Sequence, residues 1–124
     1  MKLKRPMSPH VMHYAPTLPA MTSIAQRATG AIITTYALML AWGALFLPNG
    51  AETYVSIIQS LNMGTLTIIF IKLLLGLPFT FHYFNALRYI AWNAGKMFDM
   101  KSVYDSSYKS IMAAGAAAAF FAII

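Results

Sequence analysis

The sequence predicts an all-α membrane protein with three transmembrane helices. Its 124 residues are 59% hydrophobic and only 10% charged, against about 25% charged in an ordinary soluble domain. Three long apolar runs are separated by clear breakers. Cysteine is absent, which excludes disulfides, zinc–thiolate sites and iron–sulfur clusters held by this chain. There is no G-x-G-x-x-G or G-x-x-x-x-G-K-[ST] pattern to support a nucleotide site.

The N-terminal segment, residues 1–22, carries Pro6, Pro9, Pro16 and Pro19. That density forbids one continuous helix and predicts an extended segment lying against a neighbouring subunit or the headgroup layer, with a loose tail as the alternative. Basic residues Lys2, Lys4 and Arg5 precede any apolar run, so the start is not a secretory signal peptide. For an organellar protein, a presequence is expected to have been removed already.

The first span is expected over about 23–47, ending at Pro48-Asn49-Gly50. Ser23 and Gln26 fit a capping box, with Ser23 as N-cap. Residues 51–60 form a short connector with room for one interfacial helical stretch. The second span, about 61–91, covers about 45 Å at 1.5 Å per residue, enough to cross a hydrocarbon core of about 30 Å with some tilt. The third, about 103–124, ends in the alanine-rich AAGAAAAFFAII, where Gly115 and Ala119 make a small-xxx-small pair. Together the spans make a three-helix anchor over 23–124.

The basic residues give the orientation. Lys2, Lys4, Arg5 and Arg27 lie at or before the start of the first span. Arg88, Lys96, Lys101 and Lys109 flank the adjoining ends of the second and third, while the 51–60 connector has neither Lys nor Arg. The positive-inside rule places the N-terminus and the 92–102 loop on the matrix or cytoplasmic side. The formal charge of +6 is thereby explained by topology rather than by nucleic acid.

His82 is the one histidine of three inside an apolar run, and an ionisable side chain at that depth is a functional candidate. A neutral imidazole there suits a haem iron, while a histidine hydrogen-bonded to a neighbouring helix stands equally open. Phe79, Asn85, Ala86 and Tyr89 share its face by spacing. Pro78 and Gly76 can kink the helix and open space beside it. A six-coordinate b-type haem needs two axial ligands, and His10 and His13 precede the first span. The second ligand then has to come from another polypeptide, which predicts a hetero-oligomer or a homodimer sharing one haem.

On the first span, Ser23 and Arg27 are four apart and followed on the same face by small residues. A hydroxyl and a guanidinium there could hold a quinone carbonyl and stabilise charge developing on it. Equally, Ser23 caps the helix and Arg27 snorkels to lipid phosphates. Snorkelling also accounts for Lys72, about 15 Å from His82 along the axis. Arg88 reaches either a propionate or a headgroup.

Three stretches resemble the large membrane-anchor (cytochrome b) subunit family of succinate dehydrogenase, mitochondrial type. RPMSPHVMHY, Arg5 to Tyr14, is similar to an R-P-x-S-P-H-x-x-x-Y opening. SIAQRATG, Ser23 to Gly30, resembles S-x-x-x-R-x-[ST]-G. HYFNALRYIAWNAGK, His82 to Lys96, resembles H-x-x-x-G-x-R-H-x-x-W-D-x-G-K. Lys72 also fits the family pattern. The resemblance implies a haem-binding bundle shared with a partner chain, with His82 as this chain's axial ligand to haem b. It implies that Ser23, Ile24 and Arg27 line a ubiquinone pocket and that Asn85, Arg88 and Tyr89 belong to the haem propionate surroundings.

The implied partners are a flavoprotein subunit, an iron–sulfur subunit, a small cytochrome b anchor subunit and membrane lipid. The implied location is the mitochondrial inner membrane, in preference to a bacterial one, with the N-terminus in the matrix. The sequence departs from the family pattern at Gln26, Tyr89 and Asn93, which stand where relatives carry histidine, histidine and aspartate. Tyr89 is expected to replace the missing imidazole as a hydrogen-bond donor to a propionate. The alternative function is a non-redox assembly or lipid-anchoring subunit that keeps the shape without haem or quinone.

Overall fold

Residues 4–8 and 10–124 are described by the computed structural model. Lys2 and Pro9, which belong to the basic start and the proline series, lie outside them. Among the described residues the chain forms four α-helices and no strand: α1 Leu18–Phe46, α2 Ala51–Ser60, α3 Thr65–Asn93 and α4 Met100–Ile123. Among the described residues before α1, the 3-10 turn Val11–His13 is the one helical stretch, and its residues are exposed.

The first helix begins at Leu18, five residues before the expected start, with Thr17 at the N-cap position and Pro19 in the first turn. Proline is tolerated there because the first N–H groups of a helix have no intrahelical partner to lose. Ser23 is therefore interior to α1. The Ser23–Gln26 capping box does not form; the Gln26 side chain turns instead to α3.

Helix α2 fills the connector and packs only on α1. Its anchor is Tyr54, whose hydroxyl donates to the Met39 carbonyl at 2.9 Å. Tyr54 lies over Gly43 so closely that any Cβ there would collide with the ring and hydroxyl. Helix α3 runs unbroken through Pro78. The turn after it uses left-handed backbone at Gly95 and Met97, and α4 starts at Met100 because Asp99 caps it, accepting the Ser102 N–H at 3.0 Å. The Ser102 side chain and backbone N–H beside Asp99 hold its carboxyl below the ordinary carboxylate range.

Helices α3 and α4 share the most extensive contact, with α1 packed mainly on α3. The buried side of α4 is a stripe of small residues: Ser107, Ser110, Ala114, Ala118 and Ala122. Small residues let two helix backbones approach where no large side chain intervenes. The expected Gly115–Ala119 pair is displaced from that seam. Ala119 is exposed, and a Cβ on Gly115 would meet nothing within 4 Å.

The interior is polar and small while the outside is apolar. Thr22, Asn85, Arg88, Ser107 and Ser110 are buried beside three alanines, whereas Trp42, Leu45, Leu66, Phe70 and Phe121 are more than half exposed. This inverts the soluble pattern and suits a chain surrounded by lipid or partner helices. Both α1 and α3 have 29 residues and are long and apolar enough to cross a membrane. Helix α4 has 24 residues, but Lys101, Asp105 and Lys109 make its first half polar, with Lys109 and Asp105 paired on its exposed face.

Candidate functional site

At the end of the bundle near the starts of α1 and α4, one hydrogen-bonded chain crosses all three long helices. It begins at Arg88, only 5% exposed. The guanidinium donates from Nε to Ser106 Oγ at 3.2 Å and from Nη2 to Ser107 Oγ at 2.7 Å on α4. Nη1 donates to Thr22 Oγ1 on α1 and to Asn85 Oδ1 on α3. Its Cζ lies over the Trp92 ring, 4.8 Å from the centroid. No carboxylate takes part. Hydroxyls, an amide and an aromatic face hold the buried charge.

The chain has a direction set by chemistry. A guanidinium only donates, so Asn85 must present Oδ1 to Arg88 and its NH2 to the other side. Asn85 Nδ2 accordingly donates to Gln26 Oε1 at 3.0 Å. That turns the Gln26 NH2 toward α3, where it lies 3.4 Å from both His82 Nε2 and the His82 carbonyl. On its other edge, His82 Nδ1 is 3.2 Å from Thr29 Oγ1. The imidazole lies against Gly30, where an added Cβ would stand 3.1 Å from Cε1.

A second feature adjoins the first. Ser23, Gln26, Arg27, Ala86 and Tyr89 line an open depression of about 390 Å³ between α1 and α3. Ser23 is half-buried and Arg27 exposed, so a cationic head and a hydroxyl border a groove open to a ligand. Ile24, expected with them, is 54% exposed and does not line it. Tyr89 lies in this groove and packs edge-on against Trp92 at 5.1 Å. The groove and the His82 chain share Gln26. The two features are one connected region.

Three expected neighbours of His82 have different surroundings. Asn85 is fully buried and reaches His82 only through Gln26. Arg88 is turned into the bundle, facing α4 rather than the headgroup layer. Pro78 borders an apolar depression of about 450 Å³ with Thr29, Phe81 and Gly115, and His82 is not in its lining. Lys72 is exposed, as snorkelling requires. His10 and His13 are exposed ahead of α1.

The surroundings of His82 fit a haem ligand in the respects this chain can show. The imidazole is half-buried, with Thr29 at Nδ1 and its ring in the space that Gly30 leaves, while the Gln26 amide faces Nε2, the nitrogen that iron would take. Among the described residues no three His, Cys, Asp or Glu side chains come together, and His82 is the imidazole that this region presents. Reading the sequence alone missed Thr22, Thr29, Ser106 and Ser107. The signal was present: serines 102, 106, 107 and 110 recur at helical spacing in the segment that follows an arginine-bearing apolar helix.

The profile of the family described as succinate dehydrogenase/fumarate reductase transmembrane subunit matches residues 1–124. The chain belongs to that family. Among its relatives is the human mitochondrial succinate dehydrogenase cytochrome b560 subunit. It is 33% identical over 102 residues, which cover 82% of this chain and 60% of the relative. The Bos taurus protein of the same name is 31% identical over 104 residues, covering 84% and 62%. The Schizosaccharomyces pombe mitochondrial cytochrome B subunit is 30% identical over 126 residues, covering 99% and 70%. The chain thus spans less than two thirds of the length of the two animal relatives. Family membership and two apolar 29-residue helices make it a membrane subunit of the succinate dehydrogenase/fumarate reductase class.

Proposed function

We propose that this chain is the membrane anchor of a succinate:ubiquinone oxidoreductase, contributing one axial ligand to haem b and one wall of the quinone site. The observation that carries the reading is the junction at Gln26, where the Ser23–Arg27–Tyr89 groove meets the His82 hydrogen-bond chain. Succinate oxidation belongs to a flavoprotein subunit, and an iron–sulfur subunit passes the electrons to the anchor. A small cytochrome b subunit supplies the second haem ligand, since His82 is the one imidazole on this chain's three long helices. The assembly sits in the mitochondrial inner membrane with α4 as a third span and the N-terminus in the matrix, as the basic residues and the family relatives support.

Ubiquinone takes up two electrons and two protons on reduction. In the groove, Ser23 donates a hydrogen bond to one carbonyl oxygen. Arg27 places positive charge where negative charge grows on that oxygen, lowering the barrier to its reduction. Tyr89 offers a further hydroxyl at the same opening. His82 would hold the haem, which when bound would supply a one-electron carrier. Asn85 and Arg88 hold the helices that place His82 and line up the amide of Gln26 against it.

Reduced-minus-oxidised spectroscopy of the purified complex tests the ligand assignment. His82→Ala is expected to remove or strongly shift the b-type band while the subunits stay together. A band unchanged in position and amplitude would overturn it, and an assembled wild-type complex without haem would favour a non-redox anchor.

A further inference from the structure

The two edges of His82 agree on where its proton lies. The Thr29 hydroxyl hydrogen is already directed along its own helix, with Oγ1 at 2.8 Å from the Ala25 carbonyl and 3.1 Å from that of Gln26. The lone pairs of Oγ1 are thus left for the imidazole, 3.2 Å away, and Nδ1 must bring the hydrogen. From the opposite side, the chain that starts at Arg88 delivers an N–H of Gln26 to Nε2. A donor facing a donor would be repulsive, so Nε2 carries the lone pair. Both ends give a neutral imidazole with its proton on Nδ1.

This is the tautomer an iron requires at Nε2. A donated Nδ1–H also makes the imidazole a stronger electron donor and stops the ring from rotating. We propose that Thr29 is the positioning residue of the haem ligand, accepting the Nδ1–H of His82 and fixing both its tautomer and its rotation. The proposal rests on the reading of His82 as that ligand. Gly30 serves the same seat from below, since a Cβ there would stand 3.1 Å from His82 Cε1 and push the ring off Thr29. Gln26 need not oppose the metal. Iron at Nε2 would take the lone pair that this amide faces, so the amide would turn aside, with the His82 carbonyl, also 3.4 Å away, left as its partner.

The test compares Thr29→Val, Thr29→Ala and Thr29→Ser in the purified whole complex. Two quantities are read: the midpoint potential of the b haem and the rate of haem transfer to apomyoglobin. Valine and alanine both remove the acceptor oxygen, valine at nearly constant volume and alanine with a cavity. Both are expected to raise the midpoint potential, because a weaker imidazole donor stabilises ferric iron less, and to speed haem loss by roughly 10- to 100-fold. Serine keeps the oxygen and is expected to match wild type in both.

A shift in alanine alone would trace to packing and overturn the proposal. So would unchanged potentials in valine and alanine, or a serine variant that shifts with them. If valine does not assemble, the alanine and serine pair carries the same comparison. A wild-type complex with no b-type haem overturns the ligand reading itself. A haem-replete complex indifferent to Thr29 overturns only the role given to Thr29.

Discussion

Gln26 faces inward because both ends of its amide find complementary atoms there: Asn85 Nδ2 on one side and His82 on the other. Its neighbour Arg27, one residue on and about 100° around the helix, is exposed beside Ser23 and Tyr89 instead. That division separates an inward-facing amide from a groove-facing cation within two consecutive residues. Arg27→Ala should lower quinone reductase activity by at least roughly tenfold, as loss of a charge-stabilising donor does. Reduction of an artificial dye by the soluble head should survive. Equal loss of both activities would show an assembly defect and remove Arg27 from the quinone site. Arg27 and Ser23 could be singled out from spacing, because four residues apart means one face. The direction of Gln26 could not, since it depends on atoms 56 and 59 residues away.

At the level of the helix, the seam between α3 and α4 is made by what α4 lacks. Ala114, Ala118 and Ala122 recur every four residues and are buried almost completely, with Ser107 and Ser110 continuing the line. Any added methylene there pushes two backbones apart. Ala118→Leu should overpack the seam by about 1–3 kcal/mol, shortening the thermal half-life of the detergent-solubilised complex. Ala119→Leu, on the exposed side, is the control that leaves this seam intact. Equal half-lives for the two variants would show that the seam tolerates volume. A small-residue pattern in the alanine tail was legible from composition. Which stripe of it faces α3 was not: alanines occupy so many consecutive positions that the period alone does not choose between them.

At the scale of the whole molecule, Arg88 is, among the described residues, the one side chain bonded to all three long helices, through Thr22, Asn85, Ser106 and Ser107. Three helices with hardly any large buried apolar residue have little else of their own to hold them at this end. Arg88→Leu should leave Asn85 Oδ1 without its donor, at about 1–3 kcal/mol for that buried group. The visible result would be loss of subunit assembly or a sharply shortened half-life, with Arg88→Lys intermediate because it keeps charge without the fork. Unchanged assembly and half-life in Arg88→Leu would contradict the role of this cluster.

The sequence by itself determined that the chain is helical and suited to a membrane, because length and hydropathy of each run are local properties. It also determined where basic residues gather, that one histidine lies among apolar residues, and through its motifs the family. Only the tertiary structure decided what surrounds that histidine. The burial of Arg88 against α4, the place of Tyr89 beside Arg27 and the partners at both edges of His82 all depend on contacts between helices. Donor–acceptor direction is passed from one residue to the next through space, and it can be read only once the three helices stand side by side.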